Sequence, residues 1–267
     1  MKDADPMRMR LLAAEALARE AGTLARRRFL DASFKVRFKG PQDYLTEVDG
    51  ETEELISSRL NEAFPQDGFI GEETAGRPAG GGGATWVVDP IDGTSNFARG
   101  VSHFCVSIAC VAGGKVEVGV IYDPMRDELF SAHRGGGARL NGAAIKPSGA
   151  TALANSTVEI GWNMRSGVAR YLDLVRRVAL WGAAPFRTGS GALGVAYVAA
   201  GRLDGYVEYH INAWDCLAAI LLVHEAGGYV SDFLSGEGLT KGNPLIACAP
   251  GVKEALISAA AIEGITL

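Results

Sequence analysis

Apolar residues recur at helical spacing over residues 7–28, where Leu11, Leu12, Leu17, Ala18, Ala21, Leu24 and Ala25 form one stripe. This predicts an amphipathic helix over Met7–Arg28. The Arg26-Arg27-Arg28 run then falls at its C-terminus, where cations complement the helix dipole. Phe34–Phe38 alternates apolar and charged and reads as a strand. Helical spacing returns over Asp49–Phe64, with Leu55, Ile56, Leu60 and Ala63 on one side and Pro65 as the stop. Thr74–Thr85 has no period and reads as a loop. Short apolar strands are predicted at Trp86–Val88, at Cys105–Val111 and at Lys115–Tyr122, the last two joined at Gly113-Gly114. Leu129–Ile145 reads as a further hairpin turning at Asn141-Gly142. The second half alternates: strands at Val158–Ile160, Gly205–Glu208 and Pro244–Ala249, helices at Arg170–Trp181, Gly191–Ala200, Ala213–Ala226 and Val252–Ala261. No repeat period is present. The pattern is that of a layered α/β protein, with a mixed half over 1–145 and an alternating half over 146–267.

Composition narrows this. With 267 residues, 48% hydrophobic, the chain can bury a sizeable core in one large domain or two associated halves. Its 26 basic and 31 acidic residues give a net charge of −5, so direct nucleic-acid binding is not expected. Glycine is in excess, 35 of 267 residues against an average near 7%, which implies many tight turns. Cys105, Cys110, Cys216 and Cys248 lie in apolar stretches without metal-ligand spacing and read as buried thiols. Glu15, Arg19 and Glu20 interrupt any N-terminal apolar segment, and the apolar run Cys216–Val223 is too short for a membrane span. A soluble, cytoplasmic protein is expected.

The chemistry concentrates in Trp86-Val87-Val88-Asp89-Pro90-Ile91-Asp92-Gly93-Thr94-Ser95-Asn96-Phe97. An apolar strand runs into two carboxylates three residues apart, which can converge on one divalent cation; oxygen donors of this kind suit Mg²⁺. The backbone N–H groups of Gly93, Thr94 and Ser95 offer an anion site at a helix start. An acidic turn that merely caps a helix is the alternative. The D-x-D-x-T spacing of haloacid-dehalogenase phosphatases is absent. Two further acidic elements favour the metal reading: Gly71-Glu72-Glu73 after a short apolar strand, and Asp215, which opens the most apolar helix as either N-cap or ligand.

These stretches, with W-D-C-L-A-A-I-L-L-V-H-E-A-G-G-Y-V-S-D, the hairpin R-G-G-G-A-R-L-N-G and the segment R-T-G-S-G-A-L, resemble the motifs of the inositol monophosphatase family over about residues 39–250. The resemblance implies a layered α-β-α-β-α sandwich of the sugar-phosphatase type. It also implies a lithium-sensitive, Mg²⁺-dependent phosphomonoesterase that uses two to three ions. Glu72, Asp89 and the Ile91 carbonyl are the implied ligands of one ion; Asp89, Asp92 and Asp215 are those of a second. A third, weaker ion is implied near Glu72. Gly93 and Thr94 would hold phosphate oxygens, and Asp49 would pair with the Thr94 hydroxyl to orient water for in-line attack without a phospho-enzyme. Catalytic roles thus fall on Asp49, Glu72 and Thr94.

For the substrate pocket the resemblance implies Asp92, Ser190, Gly191 and Glu208, with a polyol phosphate such as inositol-1-phosphate as ligand. Histidinol phosphate, fructose-1,6-bisphosphate and 3′-phosphoadenosine nucleotides serve relatives and are alternatives. His210 stands where glycine is common and Gly191 where alanine is common. Leu217 and Ala219 replace smaller residues. His210 reads equally as a loop or a pocket residue, and Arg187 as facing substrate or a partner subunit. His103, His133 and His224 read as structural or surface residues, and Trp162 and Trp181 as packing. A homodimer is expected from the family. A role with the transcription machinery in antitermination, known for some bacterial relatives, is the binding alternative to catalysis.

Overall fold

The computed structural model describes residues 6–40, 43–74, 76–80, 83–262 and 264–265. In chain order the first half contains α1 (Pro6–Asp31), β1 (Val36–Gly40), β2 (Asp43–Thr46), α2 (Glu47–Ala63), β3 (Gly68–Gly71), β4 (Thr85–Asp92), α3 (Thr94–Ala98), β5 (Cys105–Ala112), β6 (Lys115–Asp123), β7 (Glu128–His133), β8 (Ala138–Leu140) and β9 (Ala143–Ala144). There follow β10 (Thr157–Ile160), α4 (Val168–Leu180), β11 (Ala184–Phe186), α5 (Gly191–Ala199), β12 (Gly205–Ile211), α6 (Ala213–Glu225), β13 (Tyr229–Val230), α7 (Gly238–Lys241), β14 (Asn243–Cys248) and α8 (Lys253–Ala260).

Two sheets organise these elements: seven strands in the order β3-β4-β5-β6-β7-β8-β9 and five in the order β11-β10-β12-β14-β13. Because strand side chains alternate between faces, the large sheet feeds two cores. Trp86, Val88, Val106, Ile108 and Cys110 pack with Ala14, Ala18 and Ala21 of α1 and Ile56 and Leu60 of α2. Val87, Cys105, Ala109 and Val111 face the opposite way, onto α5 and α6. The other side of those two helices meets Tyr206, Leu245 and Ala247 of the small sheet, whose far face carries Val158, Val207 and Ile246 onto α4 and α8. The result is the expected α-β-α-β-α sandwich. The central helices are apolar all round because they are covered on both sides. At Gly119 of β6 a side chain is excluded, since a Cβ would sit 2.5 Å from the Ala218 carbonyl oxygen of α6.

Several sequence expectations need adjustment. The first helix extends beyond Arg28 to Asp31, so the arginine run lies inside it; Arg28 ion-pairs with Glu47 and Glu51 of α2. The first strand begins at Val36 and pairs with β2, which periodicity does not reveal. The second helix starts at Glu47 rather than Asp49, because Thr46 and Asp49 form a capping box. The strand Trp86–Val88 continues through Pro90 to Asp92, with a register shift between Asp89 and Asp92; a bulge tolerates a residue without an N–H. Within Thr74–Thr85, Arg77 bridges back to Phe69, while Ala75, Gly81 and Gly82 lie outside the described residues. The short β11, β13 and α7 carry no periodic signal and were not anticipated. Trp181 is 48% exposed rather than packed, whereas Trp162 does pack against Tyr171, ring centroids 4.9 Å apart. Both hairpin turns hold: Gly113, Gly114, Asn141 and Gly142 all have positive φ, as the tightest hairpins require. All four cysteines are buried and free. No helix among the described residues is long and apolar enough to cross a membrane.

Candidate metal and substrate site

Three carboxylates converge where the large sheet meets α6. Glu72 follows β3, Asp89 lies at the bulge of β4, and Asp215 is in the first turn of α6. Each offers an oxygen within 4.8 Å of the others. Parallel pairing sets β3 beside β4, with Gly71 opposite Val88, and so brings Glu72 to Asp89. Asp215 serves two purposes. Its Oδ2 accepts from the backbone N–H and the side-chain amide of Asn212, each at 3.1 Å, which locks the side chain. Asn212 is the N-cap, and Asp215, three residues on, completes the capping box.

The cluster is under electrostatic stress. Burial, then the charge of Asp215, pushes Glu72 up to about 8. Burial and the charges of Glu72, Asp92 and Asp215 hold Asp89 well above the usual carboxylate range, and burial raises Asp215. Such a set of oxygen donors, with excess negative charge and no sulfur or imidazole ligand, fits a hard divalent cation such as Mg²⁺. One cation is already near: the Lys39 ammonium lies 3.4 Å from Glu72 and 2.7 Å from Glu73. Burial works against its charge, but these two carboxylates more than offset that and raise its pKa. A lone lysine after an alternating strand carries no sequence signal, and Lys39 was missed.

Asp92 is close by but bound differently. Its Oδ2 accepts from the Ser190 hydroxyl and from Ala192 N at 2.8 Å, and its Oδ1 lies 3.3 Å from Gly191 N. Burial raises it to about 7 against these bonds. It is therefore anchored to the start of α5 and stands outside the tight trio. Asp49 is fully buried. Its Oδ2 accepts from Thr46 N at 2.8 Å and Thr46 Oγ1 at 2.5 Å, and its Oδ1 accepts from Thr94 Oγ1 at 3.1 Å. The same Thr94 hydroxyl lies 2.9 Å from the Ile91 carbonyl. Gly93, with φ of +98°, turns the chain from β4 into α3, a conformation glycine adopts without strain.

Glu72, Asp89, Ile91, Asp92 and Asp215 line a cleft of about 160 Å³ that includes Gly93, Thr94 and Ser95; Asp49 lies behind it, reached through the Thr94 hydroxyl. It adjoins a cavity of about 880 Å³, whose walls include Ser190, Gly191, Glu208, His210, Trp162 and Arg187. His210 and Arg187, left open on sequence, thus face the cavity. Burial pushes Glu208 up to about 7 and lowers His210. Trp162, Asn163 and Trp214 also line this space and were not anticipated as site residues. The remaining histidines sit elsewhere: His103 against Tyr197, His133 beside the Arg134 carbonyl, His224 beside Glu225.

The acidic oxygen cluster, which could hold a cation, lies beside a large cavity. The inositol monophosphatase family model matches residues 7–264, so the chain belongs to the inositol monophosphatase family. It is 43% identical over 235 residues to the Nus factor SuhB of Pseudomonas aeruginosa, covering 85% of this chain and 86% of the relative. It is 38% identical over 229 residues to the inositol-1-monophosphatase of Mesorhizobium japonicum, again covering 85% and 86%. Among solved structures, the extragenic suppressor protein SuhB of Bartonella henselae superposes with a TM-score of 0.89 at 36% identity, covering 96% of this chain and all of that one.

Proposed function

We propose that this protein is a Mg²⁺-dependent phosphomonoesterase acting on a polyol or sugar phosphate, with inositol-1-phosphate as the leading substrate. The observation that carries the reading is the convergence of Glu72, Asp89 and Asp215 at the mouth of a cavity lined by Glu208. Glu72, Asp89, the Ile91 carbonyl, Asp92 and Asp215 would hold two to three Mg²⁺ ions. When bound, Mg²⁺ acidifies water and neutralises charge on the phosphoryl and leaving oxygens. The Gly93 and Thr94 N–H groups hold phosphate oxygens, and the Thr94 hydroxyl orients the attacking water, taking a proton from it as it passes its own to Asp49 Oδ1. Glu208, Ser190, Gly191 and His210 form the wall against which the alcohol portion lies. A homodimer is part of the reading, and the exposed apolar side chains Leu180, Trp181 and Phe186 offer it a surface.

The test is phosphate release with Mg²⁺ from inositol-1-phosphate, histidinol phosphate, fructose-1,6-bisphosphate and a 3′-phosphoadenosine nucleotide, with and without lithium. Highest kcat/KM on inositol-1-phosphate, inhibited by lithium, is the expected result. A preference for another member of the panel would reassign the substrate, and no release from any would end the phosphatase reading. A second reading, a binding role, has one observation in its favour: relatives at 38–43% identity are named Nus factor SuhB.

A further inference from the structure

Gly161 and Tyr206 abut the pocket carboxylate Glu208, and Gly191 abuts the tyrosine hydroxyl. Glu208 is 6% exposed and Tyr206, two residues earlier on β12, is 1% exposed. Residues i and i+2 of a strand share a face, so the tyrosine hydroxyl reaches its neighbour and donates to Glu208 Oε2 at 2.6 Å. The other oxygen, Oε1, accepts from Asn163 Nδ2 at 2.9 Å. The carboxylate is thus fixed at both oxygens while it still lines the large cavity.

Space for the tyrosine hydroxyl comes from both sides. A Cβ on Gly161 would lie 2.2 Å from Glu208 Oε2 and 2.5 Å from Tyr206 Oη. A Cβ on Gly191 would lie 3.2 Å from the same Oη and 3.1 Å from Ile211 Cδ1. This gives a physical reason for glycine at 191. A methyl at 191 would crowd the hydroxyl, which would have to shift by a few tenths of an ångström to admit it.

We infer that Tyr206 is a positioning residue for substrate choice: its hydroxyl, admitted by Gly161 and Gly191, holds Glu208 with free lone pairs toward the cavity, so that the site selects a hydroxyl-bearing leaving group. This rests on the phosphomonoesterase reading above. A carboxylate held at one oxygen by the buried Tyr206 hydroxyl and at the other by the half-buried Asn163 amide is pre-organised to accept from substrate hydroxyls. A phosphate ester whose leaving group carries no hydroxyl makes no use of it.

The experiment compares wild type, Tyr206→Phe and the double variant Tyr206→Phe/Gly191→Ala. Each is assayed with Mg²⁺ on inositol-1-phosphate and on p-nitrophenyl phosphate, alongside thermal unfolding. Tyr206→Phe is expected to raise KM for inositol-1-phosphate about tenfold, the scale of one buried hydrogen bond to a charged acceptor. Its kcat stays within twofold, and its KM for p-nitrophenyl phosphate is unchanged. The alanine methyl of the double variant packs beside the space the hydroxyl leaves. It should recover thermal stability without recovering KM for inositol-1-phosphate. Equal losses on both substrates, an unchanged KM for inositol-1-phosphate, or recovery of that KM in the double variant would each overturn the inference and leave the phosphatase reading intact. Wild type inert on both substrates would overturn both.

Discussion

Asp49→Asn separates the chemistry of the site from its architecture. In the folded protein Asp49 Oδ2 takes two donors from Thr46, while Oδ1 takes the Thr94 hydroxyl. An asparagine that turns its oxygen to Thr46 keeps both of those bonds and the capping box. Its amide then points a donor at Thr94 Oγ1, so the hydroxyl can no longer give its proton there. The stability cost is that of a weakened cap, about 1 kcal/mol, or a fall of about 2–4 °C in Tm. The catalytic cost is that of losing a positioned proton acceptor, roughly 100- to 10,000-fold in kcat. Thr94→Ala should produce a similar loss, and Asp49→Asn/Thr94→Ala should be no worse than either single change, because the pair acts as a unit. The assay is initial-rate phosphate release at saturating Mg²⁺, with unfolding followed by circular dichroism on the same samples. A kcat within threefold of wild type, or additive losses in the double variant, would show that Asp49 and Thr94 do not act as a catalytic pair.

Two further predictions concern the scaffold. Asp67, 2% exposed, accepts from Arg10 Nε and Nη2, Ala84 N and Trp86 Nε1; Asp67→Asn sets an amide against two of these donors and should cost about 3 kcal/mol in urea unfolding, with a loss under 1 kcal/mol contradicting the assignment. His103 has a buried Nε2 without a hydrogen-bond partner, and burial, helped by the charge of Arg126, lowers its pKa to about 4. The unfolded chain therefore binds a proton below about pH 6.5 that the folded one refuses. Stability should fall as pH drops from about 6.5 to 4, by about 1–2 kcal/mol once solvent screening of this half-buried ring is allowed for, and His103→Gln should flatten that part of the curve; an unchanged slope would show that other groups carry it.

Much of the site is legible in sequence because local order writes it. Asp89, Ile91, Asp92, Gly93 and Thr94 are consecutive or nearly so, and the strand, bulge and turn they form is encoded within one segment. Asp215 is readable because it heads an apolar helix, and Glu72 because it follows a short apolar strand. What could not be read depends on convergence from distant elements. Lys39 reaches Glu72 and Glu73 from β1, and Trp162 and Asn163 reach the cavity from the loop after β10. The hydroxyl of Tyr206 acquires meaning only beside Gly161 and Gly191. The layers follow from period-2 strands and all-apolar helices, whereas β11 and β13, at three and two residues, are too short for any period. The glycine excess has a partial account in the same terms: some sit in turns with positive φ, and others, such as Gly119, Gly161 and Gly191, leave room for a neighbour.

The proposed activity is metal-dependent phosphomonoester hydrolysis by the cluster at Glu72, Asp89 and Asp215. Its most direct test is phosphate release from inositol-1-phosphate by wild type and by Asp215→Asn, each with Mg²⁺ and after chelation with EDTA. The asparagine amide can still donate and accept within the Asn212 cap, so the helix start should survive the change. Turnover by wild type with Mg²⁺, lost on chelation and lost in Asp215→Asn even with Mg²⁺, is the predicted result. Turnover that persists after chelation, or in Asp215→Asn at the wild-type rate, would contradict it.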